Sequence, residues 1–282
     1  MKDSTRKRIL FLFVLVGLMI INYPFVSQWV NKGSESRVIN NYESIVQNMS
    51  EDEKAEIISL ANEYNQRLAQ SQTGITDAFS TAYKADEEYN GLLNPVGDGI
   101  MGYISIPKID VNIPIYHGTS ASVLESGAGH LYGSSLPVGG ESTHAILSSH
   151  SGLPSKELFT NLDQLDTTDY FYIKVMGETL EYRIDSIETV LPNETESLVI
   201  KQGEDLVTLV TCTPYGVNSH RLLVTGHRVY SVEGEGEENT PEHIEEGISG
   251  VLKIIFIISI IVLILAGKIL LFPCRKKERR KQ

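Results

Sequence analysis

Cysteine is scarce in this chain: there are two among 282 residues, Cys212 and Cys274. A disulfide-stapled scaffold is thereby excluded, and a chain of this length can bury enough interior for one sizeable domain, or two small ones, without staples. Positive charge is scarce too, except at the tips. Residues 1 to 8 balance at +3 and residues 274 to 282 at +5, so the formal −12 of the whole leaves −20 for everything between. Such an acidic body repels phosphates and argues against a nucleic-acid partner. No internal repeat is evident.

What the two ends do hold is apolar sequence beside basic residues, which points to a membrane. The run from Ile9 to Ile21 is apolar apart from Gly17 and follows Lys2, Arg6, Lys7 and Arg8. Residues 1–30 therefore read as a signal peptide or an uncleaved anchor. No Ala-x-Ala site follows and Asn22-Tyr-Pro-Phe is a poor cleavage context, which favours the anchor. Residues 248–273 are long enough to cross a hydrocarbon core of about 30 Å, and Lys253 and Lys268 near their ends can snorkel to the headgroups. The basic tail, 274–282, then belongs on the cytoplasmic side, with the acidic body outside the cell. That topology separates Cys274 from Cys212. A lone external thiol is either a small buried hydrophobe or a reactive group.

Along the chain, Asn31 to Arg37 reads as a polar linker and residues 38–70 as helices. Ser50-Glu-Asp-Glu53 has the capping-box pattern, after which Ile57, Ala61, Tyr64 and Leu68 recur at helical spacing. Residues 71–96 have little periodicity and are either a floppy connector or a lid. From Gly97 the signals turn to β. Short runs at Met101–Ile106, Val111–Tyr116, Thr143–Ser149, Tyr170–Val175, Thr179–Leu191 and Leu206–Thr211 predict a closed or nearly closed barrel within residues 97–231. Gly118 to Glu125 and Lys156 to Leu162 suit short helices. The acidic, weakly hydrophobic stretch 232–247 reads as a solvated spacer.

Leu206 to Arg228 is the most informative stretch. A strand ends in Cys212, a turn is built on Pro214 and Gly216, and a second strand opens on Arg221. A thiol of pKa about 8.5 is only a few per cent ionised at neutral pH, so it needs a base or a cation to become a useful nucleophile. Among seven histidines, His150 ends its own predicted strand as Cys212 ends its own, which sets both at strand ends; a surface histidine beside a turn is the bland alternative. Arg221 or Arg228 could hydrogen-bond a developing oxyanion, and Arg221, just after the turn, is the nearer.

Thr208-Leu-Val-Thr-Cys212-Thr-Pro-Tyr with Asn218-Ser-His-Arg221-Leu-Leu-Val resembles the active-site segment of sortases, most closely the class C, pilus-assembling ones. Ser148-Ser-His150-Ser-Gly, Gly127-Ala-Gly-His-Leu, Ser135-Leu-Pro-Val-Gly-Gly and Gly102-Tyr-Ile-Ser-Ile-Pro are similar to that family as well. The resemblance implies an eight-stranded β-barrel preceded by helices and a lid. It further implies Cys212 as nucleophile, His150 as general acid or base, and Arg221 as the group that positions substrate and steadies the oxyanion. The lid element of the family, Asp-Pro-aromatic, corresponds to Asp77-Ala78-Phe79, where alanine leaves the backbone freer than proline would. The implied partners are pilin subunits with a Leu-Pro-x-Thr-Gly-like sorting signal, with a pilin lysine as acceptor. No metal or organic cofactor is needed, because a thioester keeps the acylating power of the peptide bond. The rival readings are a cell-wall-anchoring sortase, a cysteine hydrolase and a non-catalytic tethered binding module.

Overall fold

In the computed structural model the described residues are 3–71, 86–153 and 155–230. Asp77 and Phe79, the acidic spacer, the second apolar run and the basic tail lie outside them.

Helix α1 runs from Asp3 to Asn48, continuing past Pro24. The stretch from Ile9 contains a window of mean hydropathy 2.5 that is not buried, apolar and long enough to cross a membrane. The residues up to Trp29 fall outside the compact unit Val30–Glu237, which holds everything below. The expected polar linker at 31–37 is thus helical. Its side chains are polar because of what they face, not because the backbone is irregular.

Helix α2, Glu51–Ser71, starts at the predicted capping box: the Ser50 amide donates to Glu53 Oε2 at 2.8 Å and the Glu53 amide to Ser50 Oγ at 3.3 Å. Its apolar face buries Ala61 and Tyr64, with Ile57 and Leu68 packed alongside. Asn65 fixes the helix to the barrel, donating to Leu136 O at 3.0 Å and accepting from the Leu136 amide at 2.7 Å. A short α3, Glu87–Gly91, is capped by Asp86 and buries Tyr89 completely, followed by the buried Leu92 and Leu93.

Eight strands follow: β1 Ile100–Ile106, β2 Val111–His117, β3 Ala128–His130, β4 Thr143–Ser148, β5 Tyr170–Val175, β6 Glu178–Val190, β7 Asp205–Thr213 and β8 His220–Arg228. Helix α4, Ala121–Ser126, lies between β2 and β3, capped by Ser120. The strands close into a barrel in the order β1-β2-β3-β4-β7-β8-β6-β5. β2–β3 and β4–β7 are parallel and the other pairs antiparallel.

Strand β1 is buried almost throughout, because the barrel interior lies on one face and α1 on the other. Tyr42 of α1 donates its hydroxyl to Met101 O at 3.0 Å and accepts from the Met176 amide at 2.9 Å. Gly102 lets β5 come close: a Cβ there would sit 2.4 Å from Lys174 O. Exposed β6 alternates instead, as a strand with one wet face must.

Besides the linker, two further points differ from the sequence reading. β3 went unanticipated, since Ala128-Gly-His has no β-branched residue to mark it. The turns predicted at Lys156–Leu162 are not a helix: Leu158 sits at φ +45°, outside the right-handed helical region, while Leu158 and Phe159 are both buried in the core.

Candidate active site

Position along the ladder brings the three candidate residues to one rim, with Cys212 and Arg221 paired across β7 and β8 and His150 just past the end of β4. β4 and β7 are parallel and in register from Thr143↔Asp205 to Ser148↔Val210, so their C-terminal ends emerge together. The pairing continues beyond the strand: the Ser149 amide donates to Val210 O at 3.1 Å, and Thr211 Oγ1 to Ser149 O at 2.8 Å. Ser151 Oγ then donates to Cys212 O at 2.7 Å. His150 is therefore held between two residues that are both tied to the end of β7. Across the antiparallel β7–β8 pair, Cys212 lies directly opposite Arg221.

Side chains alternate between faces along a strand, so parity decides who shares a surface. Ile146 and Ser148 of β4 share a face with Thr208, Val210 and Cys212 of β7 and with Thr225, Leu223 and Arg221 of β8. Beneath that face Leu131, Ile146, Leu198, Val210 and Leu223 form a small apolar cluster separate from the main core. The interior face of the same strands carries Val207, Leu209, Leu222 and Val224 in the main core. His220 pairs with Thr213 and so falls on the face opposite to Arg221, with its Nδ1 2.8 Å from Ser219 Oγ.

All three residues are partly exposed, and Cys212 is not in a disulfide. Arg221 Nη1 donates to His220 O at 3.3 Å and to Asn218 O at 3.5 Å. A small open depression of about 30 Å3 borders Cys212, lined also by Ser151, Thr160, Asp163, Tyr215 and Leu222. Tyr215 covers Gly152, whose φ of +80° and 3.0 Å spacing from the ring leave no room for a side chain.

The other described histidines are engaged elsewhere. His130 is fully buried, with Nδ1 2.8 Å from Tyr89 Oη and Nε2 2.8 Å from Ser135 O; burial pushes its pKa down to about 4. His144 is buried between Val199 O and Thr208 Oγ1, at 2.9 and 2.7 Å, and is likewise pushed down to about 4. His117 faces Gly99 O and Leu92 O, and His227 faces Asp185. Arg228, the other candidate cation, sits at the far end of β8 between the rings of Tyr182 and Tyr230, 5.7 and 5.4 Å from their centroids.

A thiol, an imidazole and a guanidinium on one rim suit acyl transfer through a thioester: one group to attack, one to carry a proton, one to hold a carbonyl oxygen. Sequence reasoning named all three as candidates but not the serines whose hydrogen bonds flank His150. Ser149 and Ser151 flank His150 in the run Ser148-Ser-His-Ser, and that density of hydroxyls at a strand end was the available signal.

Comparison with known proteins agrees with this geometry. The sortase domain family matches residues 104–229. Sortase C of Streptococcus pneumoniae is 43% identical with a TM-score of 0.65, over 71% of this chain and all of that one. Sortase C1 of Streptococcus agalactiae is 48% identical with a TM-score of 0.64, over 70% of this chain and all of the other. Sortase A of S. agalactiae is 32% identical over 117 residues, which span 40% of this chain and 47% of that relative's own length. With whole solved sortase C chains covered at such identity, and the barrel closed as the resemblance required, this chain belongs to the sortase family of membrane-anchored cysteine transpeptidases.

Proposed function

We propose that the protein polymerises pilin subunits, with Cys212 as nucleophile, His150 as general acid and base, and Arg221 as the oxyanion and substrate clamp. What supports this reading is the register that sets Cys212 directly opposite Arg221, with the parallel neighbour β4 ending two residues before His150 at the same rim. The Cys212 thiolate attacks the Thr–Gly carbonyl of a Leu-Pro-x-Thr-Gly-like signal, forming the C–S bond. As the C–N bond breaks, the imidazolium of His150 gives its proton to the leaving glycine amine. A pilin lysine amine then attacks the thioester, His150 takes up the proton it sheds, and the thiolate departs to leave an isopeptide bond. Arg221 remains cationic throughout and can hold both tetrahedral oxyanions.

The pilin assignment is supported by the sortase C neighbours, of which the S. pneumoniae enzyme has been characterised for its pilin substrate specificity. In this reading the barrel lies outside the cell membrane, with the basic tail on its cytoplasmic side, and Asp77 and Phe79 serve as a lid over the site. The deciding experiment incubates the full-length chain in membranes with a sorting-signal peptide and searches by mass spectrometry for an adduct on Cys212. A lysine-bearing pilin domain and a peptidoglycan-type amine are then offered in competition. The expected result is a thioester resolved by the pilin lysine, lost in Cys212→Ala. Release to the cell-wall amine alone would overturn the pilin assignment, and release to water alone would make the enzyme a hydrolase.

A further inference from the structure

The loop after β4 begins at His150 and is gripped by a single turn of α1. Asn31 Nδ2 donates to Ser155 O at 2.8 Å. Lys32 Nζ lies 3.3 Å from Glu157 Oε2 and also donates to Asp110 Oδ2 at 2.7 Å. Lys156 Nζ stands 3.5 Å from Glu35 Oε1, and these two side chains are only 19% and 11% exposed. Three consecutive loop residues thus meet three side chains of one helical turn. Asn31 and Glu35 are four apart and share a helix face.

From that grip the restraint runs back to the histidine. Leu158 and Phe159, the next two residues, are buried in the core. The Phe159 amide donates to His150 O at 3.2 Å, and the Gly152 amide to Thr160 Oγ1 at 3.0 Å, closing the loop on itself. Leu158 keeps a left-handed backbone at φ +45°, a conformation that costs an ordinary side chain about 1 kcal/mol and persists only where its surroundings over-determine it.

We infer that the α1 turn Asn31–Glu35 is a positioning device for the His150 loop, with the shielded Glu35–Lys156 pair as its main fastener. The inference rests on the reading of His150 as the acid–base residue. A shielded pair behaves asymmetrically when broken: Lys156→Gln strands a carboxylate that is almost out of water, whereas Glu35→Gln leaves a lysine long enough to reach solvent. The double variant strands nothing.

The test uses the full-length chain in detergent micelles, a Leu-Pro-x-Thr-Gly peptide, and single-turnover acylation followed by mass spectrometry, with rates referred to alkylatable Cys212. Lys156→Gln is expected to slow acylation about tenfold and Glu35→Gln about threefold, since small misplacements of a reacting group cost this much and more. The double variant should be no slower than Lys156→Gln, Lys156→Arg should restore the wild-type rate, and half-saturating peptide should stay within twofold. The pH profile of acylation should shift in the single variants. Should Lys156→Gln unfold, Glu35→Gln carries the test. Rates per thiol within twofold of wild type in Glu35→Gln and Lys156→Gln, or a change in peptide affinity alone, would overturn the inference. A wild-type chain that forms no acyl-enzyme overturns the reading of His150 and Cys212 instead, so the two failures are distinguishable.

Discussion

Strand β8 begins and ends on an arginine, and the two live in opposite surroundings. Arg228 is sandwiched between Tyr182 and Tyr230, beside a buried Asp205 that accepts from the Gly140 amide, the Tyr182 hydroxyl and the Tyr230 hydroxyl at 2.8, 3.0 and 3.3 Å. The carboxylate and its burial together hold the Tyr182 phenol well above its ordinary value, burial being the larger cause. Arg221 leans on two backbone carbonyls at long range, at the edge of an exposed turn, directly opposite Cys212. At one rim the arginine packs against aromatic rings beside a buried carboxylate; at the other it occupies a paired strand position next to an exposed turn. The same residue type is engaged by rings at one end of the strand and by backbone carbonyls at the other.

The largest expected effect that would break this contrast is at Arg221. Arg221→Ala should lower acylation by about 10^2 to 10^3, the usual loss of an oxyanion donor, while moving the thermal midpoint by no more than a couple of degrees. A large loss of stability with normal rates would reverse the roles of the two rims. Acid should act on the barrel body through His130 and His144. Both are neutral in the fold, pushed from 6.5 down to about 4, so the unfolded chain binds protons that the native one does not. Stability is intact above about pH 6.5 and falls as pH drops toward 4, by roughly 1.4 kcal/mol per unit for each histidine. Urea unfolding at pH 7 and pH 5 measures it, and His144→Gln should flatten the slope.

Asp205→Ala comes next, with about 2–4 kcal/mol of destabilisation from stranding buried donors, and near-normal acylation per folded molecule. Chemical denaturation beside active-thiol titration separates the two. Gly152→Ala should be the mildest, about 1–2 kcal/mol from its positive φ and the Tyr215 contact, with acylation reduced severalfold because the strain falls two residues from His150.

Much of this was legible before any coordinates. Alternating and β-branched runs located seven strands within a residue or two once the run after Arg221 is counted, and the Ser50-to-Glu53 pattern located the start of α2, because each rests on local geometry. The candidate site was legible because strand ends are. Arg221 and Arg228 were harder to tell apart, since they bracket one apolar run and only the Tyr182 and Tyr230 rings, distant or downstream in sequence, reveal the second as structural. The turn at Asn31–Arg37 misled for a related reason: its polarity matches a polar loop some 120 residues away in the chain, and composition alone equates polarity with irregular backbone. Leu158 defeated the helix reading because the core, not the local sequence, selects its backbone.

Because Cys212 is set opposite Arg221 by pairing that runs back to Leu206↔His227, their spacing owes nothing to the exposed turn 214–219 that joins their strands. The register is written into the two strands rather than into the segment that joins them, so a change of residues in that turn is expected to leave Cys212 and Arg221 facing each other.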